Sequence, residues 1–128
     1  MGTPVKERGA AVVEFTLVCV VLMTLVLAVI QVGVVIHVRN TLVACAAEGA
    51  RYGANADRRP VDGASRTAEL AAQTLAVGIA DEITARQVVV DGVAMVEVEV
   101  RATLPLVGYI GIDEAMTVSG HAVDETGW

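Results

Sequence analysis

From Phe15 to Ile36 the chain runs for 22 residues without a charge, reading FTLVCVVLMTLVLAVIQVGVVI. At ~1.5 Å rise per residue such a run is about 33 Å long as a helix, matching a hydrocarbon core of ~30 Å with slight tilt. Valine is abundant here and is a mediocre helix former in water. In lipid the backbone has no water to bond with, so a single span must be helical. The apolar core of a secretory signal is shorter, at ~7–15 residues. Thr24 and Gln31 lie seven residues apart on one helix face, which predicts a helix–helix contact through their polar groups.

The flanking bases set the expected orientation. Lys6, Arg8 and the amino terminus precede the run, and Arg39 and Arg51 follow it with Glu48 between them. Counting bases, the positive-inside rule favours a cytoplasmic N-terminus and an extracytoplasmic remainder. The chain carries 9 Lys and Arg against 15 Asp and Glu, a net charge of −6. A phosphate backbone is bound by clustered positive charge, so nucleic acid is not an expected partner. Cys19 and Cys45 are expected on one helix, about 39 Å apart, far beyond the ~4.4–6.8 Å that a disulfide spans. Both read as small apolar filler.

The junction before the run is Lys6-Glu7-Arg8-Gly9-Ala10-Ala11-Val12-Val13-Glu14-Phe15. A basic leader ends in Gly9, and five residues later a lone acid, Glu14, stands at the mouth of the apolar helix. A carboxylate at mid-bilayer costs ~2.5–3.5 kcal/mol, and less near the interface. Read alone, Glu14 serves equally as an interfacial acid favoured by the helix N-terminus. Beyond the run comes Ala46-Ala47-Glu48-Gly49-Ala50-Arg51-Tyr52-Gly53-Ala54.

The two blocks, in this order around one span, resemble the TadE-like family of minor pilins or pseudopilins of the tight-adherence (Flp) type IV pilus system. The junction resembles a type IV prepilin signal, and Glu48-Gly49-Ala50-Arg51-Tyr52 resembles the family's A-x-E/D-G-A-R-Y block. The resemblance covers residues 8 to 54 and is looser beyond. It implies cleavage between Gly9 and Ala10 by a prepilin peptidase on the cytoplasmic face. Ala10 would become the mature N-terminus, and Glu14 would pair with a neighbouring subunit's terminal amine. The implied partners are the membrane, the peptidase, other pilin-like subunits and the assembly platform. The implied place is the inner membrane or a surface pilus, serving adhesion or secretion.

The apolar helix is expected to continue to about Ala54, since residues 41–56 hold no proline. Residues 45, 46, 49, 50, 53 and 54 are all Cys, Ala or Gly. They predict a small-residue face, packed on the next helix of the same chain or, alternatively, on a neighbouring subunit, with Arg51 and Tyr52 on the other side. A loop is expected over Asn55–Ala64, where Pro60 and Gly63 are breakers and Arg58 and Arg59 are solvated. A second helix is expected over about Ser65–Ala80, capped by Ser65 or Asp62, with a stripe of Ala68, Ala71, Ala72, Leu75 and Ile79. The period then changes to two. Val88–Val90, the turn Asp91-Gly92, and Val93–Leu104 read as a hairpin. Val96, Val98, Val100 and Ala102 alternate with Glu97, Glu99, Arg101 and Thr103, predicting one buried and one wet face. Pro105 should end the strand, a Gly-rich apolar loop should fill 106–112, and Met116–Val123 fits a third antiparallel strand. The acidic tail from Asp124 is expected to fray.

The expected fold class is therefore α+β. A leader over 1–9 is followed by a membrane helix with its extension over 10–56. A small head over 57–128 holds a second helix and a three-stranded antiparallel sheet. With two histidines and no paired cysteines, no metal site, cofactor, small-molecule substrate or catalytic group is expected. Glu97 and Glu99 read as a solvated face. Two rival readings stand beside the pilin-like subunit. One is a single-pass anchored binding module that is never processed. The other is a lipoprotein, since Leu42-Val43-Ala44-Cys45 loosely fits a lipobox. A lipobox abuts its apolar core, however, and His37, Arg39 and Asn40 intervene here.

Overall fold

Two units divide the chain in the computed structural model, Met1–Val34 and Val35–Trp128; the described residues are 5–75, 78–103 and 115–125. Helix α1, Val5–Ala54, contributes to both. In the first unit it is long and apolar enough to cross a membrane, and none of its most apolar stretch is buried inside the chain. Phe15 is 70% exposed and Met23 67%. A stripe-free apolar surface without cover is what lipid requires and what water penalises. The Thr24 hydroxyl donates to Val20 O at 2.8 Å, within its own helix. Thr16 does the same to Val12 O. Back-bonding of this kind satisfies a hydroxyl in an apolar setting without a second helix.

In the second unit the C-terminal part of α1 meets helix α2 (Pro60–Thr74) and strands β1 (Ala80–Val90), β2 (Val93–Thr103) and β3 (Ala115–Val123). The sheet order is β1-β2-β3 and both pairings are antiparallel. This is the expected α+β class. The core draws Val38, Leu42, Ala46, Ala50 and Ala54 from α1 at a spacing of four. Facing them are Val96, Val98, Val100 and Ala102 of β2 and Val118 of β3, all buried. The period-two reading of β2 therefore holds, with Glu97, Glu99, Arg101 and Thr103 on the other face. The hairpin holds too. Asp91 and Gly92 both have positive φ, 51° and 80°, the pair of left-handed residues that a type I′ turn requires.

Three boundaries differ from expectation. Helix α2 starts at Pro60, not near Ser65, so only Asn55–Arg59 connects the helices. Proline suits the first helical position because its missing N–H has no partner there anyway. Asp62 then closes the end: Arg59 N donates to its Oδ2 at 2.8 Å, and Asp62 N donates to Arg59 O at 2.9 Å. The helix stops at Thr74, and Ala80 opens β1, an 11-residue strand rather than three valines. The buried stripe of α2 is Gly63, Thr67 and Ala71, so Ala68 and Ala72 of the expected stripe are exposed. Asp124 does not fray. It is buried, its N–H donates to Ala94 O at 2.9 Å, and its carboxylate accepts from Gln87. Pro105, the 106–112 loop and the last tail residues lie outside the described residues.

Candidate functional site

Backbones approach closely where α1 carries its small residues. A Cβ on Gly49 would stand 1.8 Å from Thr67 Oγ1 and 2.6 Å from Gly63 O; one on Gly63 would stand 2.5 Å from Gly49 O. Gly53 meets the Cα of Gly63 in the same crossing. Thr67 Oγ1 donates to Gly63 O at 2.9 Å and lies 3.4 Å from Cys45 O. Gly120 of β3 does likewise on another side of α1, where a Cβ would lie 2.3 Å from Ala47 N. The small-residue face is thus packed within its own chain, against α2 and β3. Cys45 is buried in mid-helix beside Thr74, and Cys19 is also a free thiol.

The Glu48–Tyr52 block serves two directions. Gly49 and Ala50 point into the packing, while Glu48 and Arg51 stand outside it and pair at 3.9 Å. An ion pair this exposed contributes little stability. Tyr52 is half-buried and takes Arg58 on its ring, with the guanidinium 4.4 Å from the centroid. Arg58 Nη1 also donates to the Tyr52 hydroxyl. Arg58 is therefore tied to the block rather than freely solvated as expected. A small polar cleft lies there, lined by Tyr52, Arg58, Asp62, Ser65, Arg66 and Glu69.

Gly9, Ala10 and Glu14 belong to the first unit and lie within α1, which runs through the expected 9/10 boundary without a break. All three are exposed, and a Cβ at Gly9 would meet nothing within 4 Å. Ala10 and Glu14 are one turn apart and, with Val13, Leu17, Val18 and Val21, line a shallow groove that is almost wholly apolar.

The wet sheet face holds a group that the alternation pattern did not single out. Glu97 accepts from Arg86 Nε at 2.7 Å and lies 3.3 Å from His121 Nε2. The Arg86 hydrogen bond holds its carboxyl below the usual range, against the opposing effect of burial. The same bond raises Arg86. Glu97 is only 13% exposed in its side chain, so it is not the solvated acid expected. Cross-strand register would have found it, since Arg86, Glu97 and His121 are direct neighbours across three strands. Among the described residues no group of three His, Cys, Asp or Glu converges as a metal site would.

Among the described residues one helix is long and apolar enough to cross a membrane, which fits a single-pass membrane anchor that carries a small α+β head. The family model described as TadE-like protein matches residues 9–51, a third of the chain, so this part is similar to that family, in line with the resemblance of its two blocks. No curated protein and no solved structure matches the chain.

Proposed function

We propose that the chain is a minor pilin or pseudopilin of a tight-adherence type IV pilus, or of a related secretion machine. A prepilin peptidase removes residues 1–9, leaving 10–56 as membrane helix with its extension and 57–128 as the rest of the head. The observation that carries the reading is the reach of the family match. It takes in the Gly9–Glu14 junction, the apolar run and the block up to Arg51. The exposed peptide at Gly9 supports it, because a peptidase needs a bond it can reach and a residue without a side chain beside it. Glycine also weakens the helix there by ~1 kcal/mol relative to alanine, which eases local unwinding.

After cleavage Ala10 carries an ammonium beside the membrane. Glu14 then neutralises the terminal amine of an adjacent subunit and sets the axial register between the two. The head faces away from the cytoplasm. The subunit acts by assembly with other pilin-like chains and the platform, without turnover. Mass spectrometry of the protein from its native membrane tests this. The expected species begins at Ala10, and Gly9→Leu should accumulate the full-length form. A parent protein that keeps its leader would leave only the plain anchored module.

A further inference from the structure

The polar cleft at the α1–α2 corner has no part in processing or in the helix contacts of assembly. It holds about 170 Å³ and draws Tyr52 from α1, Arg58 from the connection, and Asp62, Ser65, Arg66 and Glu69 from α2. Pockets for drug-sized ligands run ~300–1,000 Å³, so this one has room for a single small ring. The side chains of Arg58, Arg66 and Asp62 are 41%, 39% and 34% exposed, sheltered enough for hydrogen bonds there to count. Ion pairs at such exposure contribute little stability. Holding the helices together therefore does not account for four charges gathered in one hollow.

The lining narrows the chemistry of a ligand. Two guanidinium groups and two carboxylates line the cleft, so their charges sum to zero. An anion would meet Asp62 and Glu69, and a cation would meet Arg58 and Arg66. An apolar molecule would strand all six polar side chains. A hydroxyl donates and accepts at once, so it needs both kinds of partner side by side. Both kinds are open here. Arg58 gives one N–H to the Tyr52 hydroxyl, which keeps its own proton to donate. The approach of Arg58 to Asp57, at 3.9 Å, is too long for a hydrogen bond. Asp62 takes the Arg59 N–H on Oδ2, leaving Oδ1, and Glu69 takes Arg66 on Oε2 at 3.0 Å, leaving Oε1. Ser65 reaches Val61 O only at 3.3 Å.

We propose that this cleft binds one pyranose ring of an extracytoplasmic glycan. Neighbouring ring hydroxyls are held between the guanidinium groups of Arg58 and Arg66 and the carboxylates of Asp62 and Glu69. Planar guanidinium and carboxylate groups each present two atoms along one edge, so one side chain can serve two adjacent hydroxyls. Tyr52 and Ser65 add hydroxyls that donate or accept as the sugar requires. The extracytoplasmic setting rests on the proposed function, but binding by the purified protein does not depend on it.

Saturation-transfer NMR tests this on the full-length protein in a micelle that carries neither sugar nor phosphate. The probes are glucose, galactose and N-acetylglucosamine. At least one should receive saturation on its ring protons, with an affinity on the order of millimolar. Arg66→Ala and Glu69→Ala should each weaken that binding roughly tenfold, as loss of a charged hydrogen-bond partner does. Alanine suits both helix positions, so the urea midpoint should barely move. Tyr52→Phe keeps the ring, removes the hydroxyl and should also weaken binding, whereas Gln73→Ala, on the same helix outside the cleft, should not. Preference for N-acetylglucosamine would mark an acetamido glycan of the cell-wall kind, and preference for glucose or galactose a neutral surface polysaccharide; both support the site. No saturation of any probe, equal saturation in Arg66→Ala, or displacement of the sugar by inorganic phosphate or putrescine would each overturn the proposal. A parent that binds sugar yet keeps residues 1–9 would sink only the pilin reading.

Discussion

At Gly49 a hydrogen atom decides the architecture of the head. Two backbones cross there, and the nearest obstacle to a side chain includes Gly63 O, which cannot rotate away. Gly49→Ala should destabilise the head by at least ~1–3 kcal/mol, the usual cost of overpacking. It should show as a lower urea midpoint of the purified protein. Gly9→Ala is the matched control, since a Cβ there meets nothing; it should leave that midpoint unchanged. On the proposed function, Glu14 belongs to the same scale but to assembly. Glu14→Ala should leave insertion intact, because the span becomes more apolar. Co-purification with assembly partners should be lost. Two charges at ~4 Å attract by roughly 4 kcal/mol at an effective dielectric of 20, before desolvation. Stranding one of them buried costs about 3–5 kcal/mol. Normal co-purification would reduce Glu14 to an interfacial acid.

Among the elements, β2 was readable from its amino acids and β1 was not, for one physical reason. Strand β2 is central and packed on one face, so from Val96 to Thr103 its side chains alternate between the buried core and a less buried outer face. Strand β1 lies at the edge, and its exposure follows no such alternation; Ala80–Gln87 is held by pairing with β2, not by its own propensity. Helix α2 hid its start because Pro60 and Gly63 look like breakers. One is tolerated at the first helical turn and the other is required by a neighbouring backbone, which local sequence does not display. The sheet's wet face carries a pH-dependent element. Glu97 is lowered by Arg86, with Glu99 and His121 the other charged or titratable neighbours. A lowered carboxyl contributes stability above the ordinary range, near pH ~4.3, and loses it as pH falls through its folded value. Glu97→Gln should therefore be less stable than the parent at pH 7. The gap should shrink as pH drops below ~4.3. Chemical denaturation at the two pH values checks this, and a constant gap would show that the pair adds nothing titratable.

For the whole molecule, the apolar stretch of α1 was legible because none of it is buried among the described residues, so composition decides the environment it suits. Its orientation rests on a much finer balance. Lys6 and Arg8 stand before the span, and Arg39 and Arg51 stand after it. Acidic residues contribute little to orientation, so the acidic surplus of the head does not settle the matter. Bases within ~15–20 residues of the ends do count, and here they are matched two against two. On the proposed function, a reporter fused after Trp128 should be active outside the cytoplasm. So narrow a margin makes a sharper expectation. Lys6→Gln/Arg8→Gln removes both side-chain bases before the span and leaves Arg39 and Arg51 after it, so a substantial fraction of the chains should insert the other way. Arg39→Gln should do the opposite and hold the parent topology. A paired set of reporters, one active only in the cytoplasm and one only outside it, reads both fractions at once. If the double variant keeps a single orientation, the bases do not set the topology, and folding of the head after translocation must hold it instead.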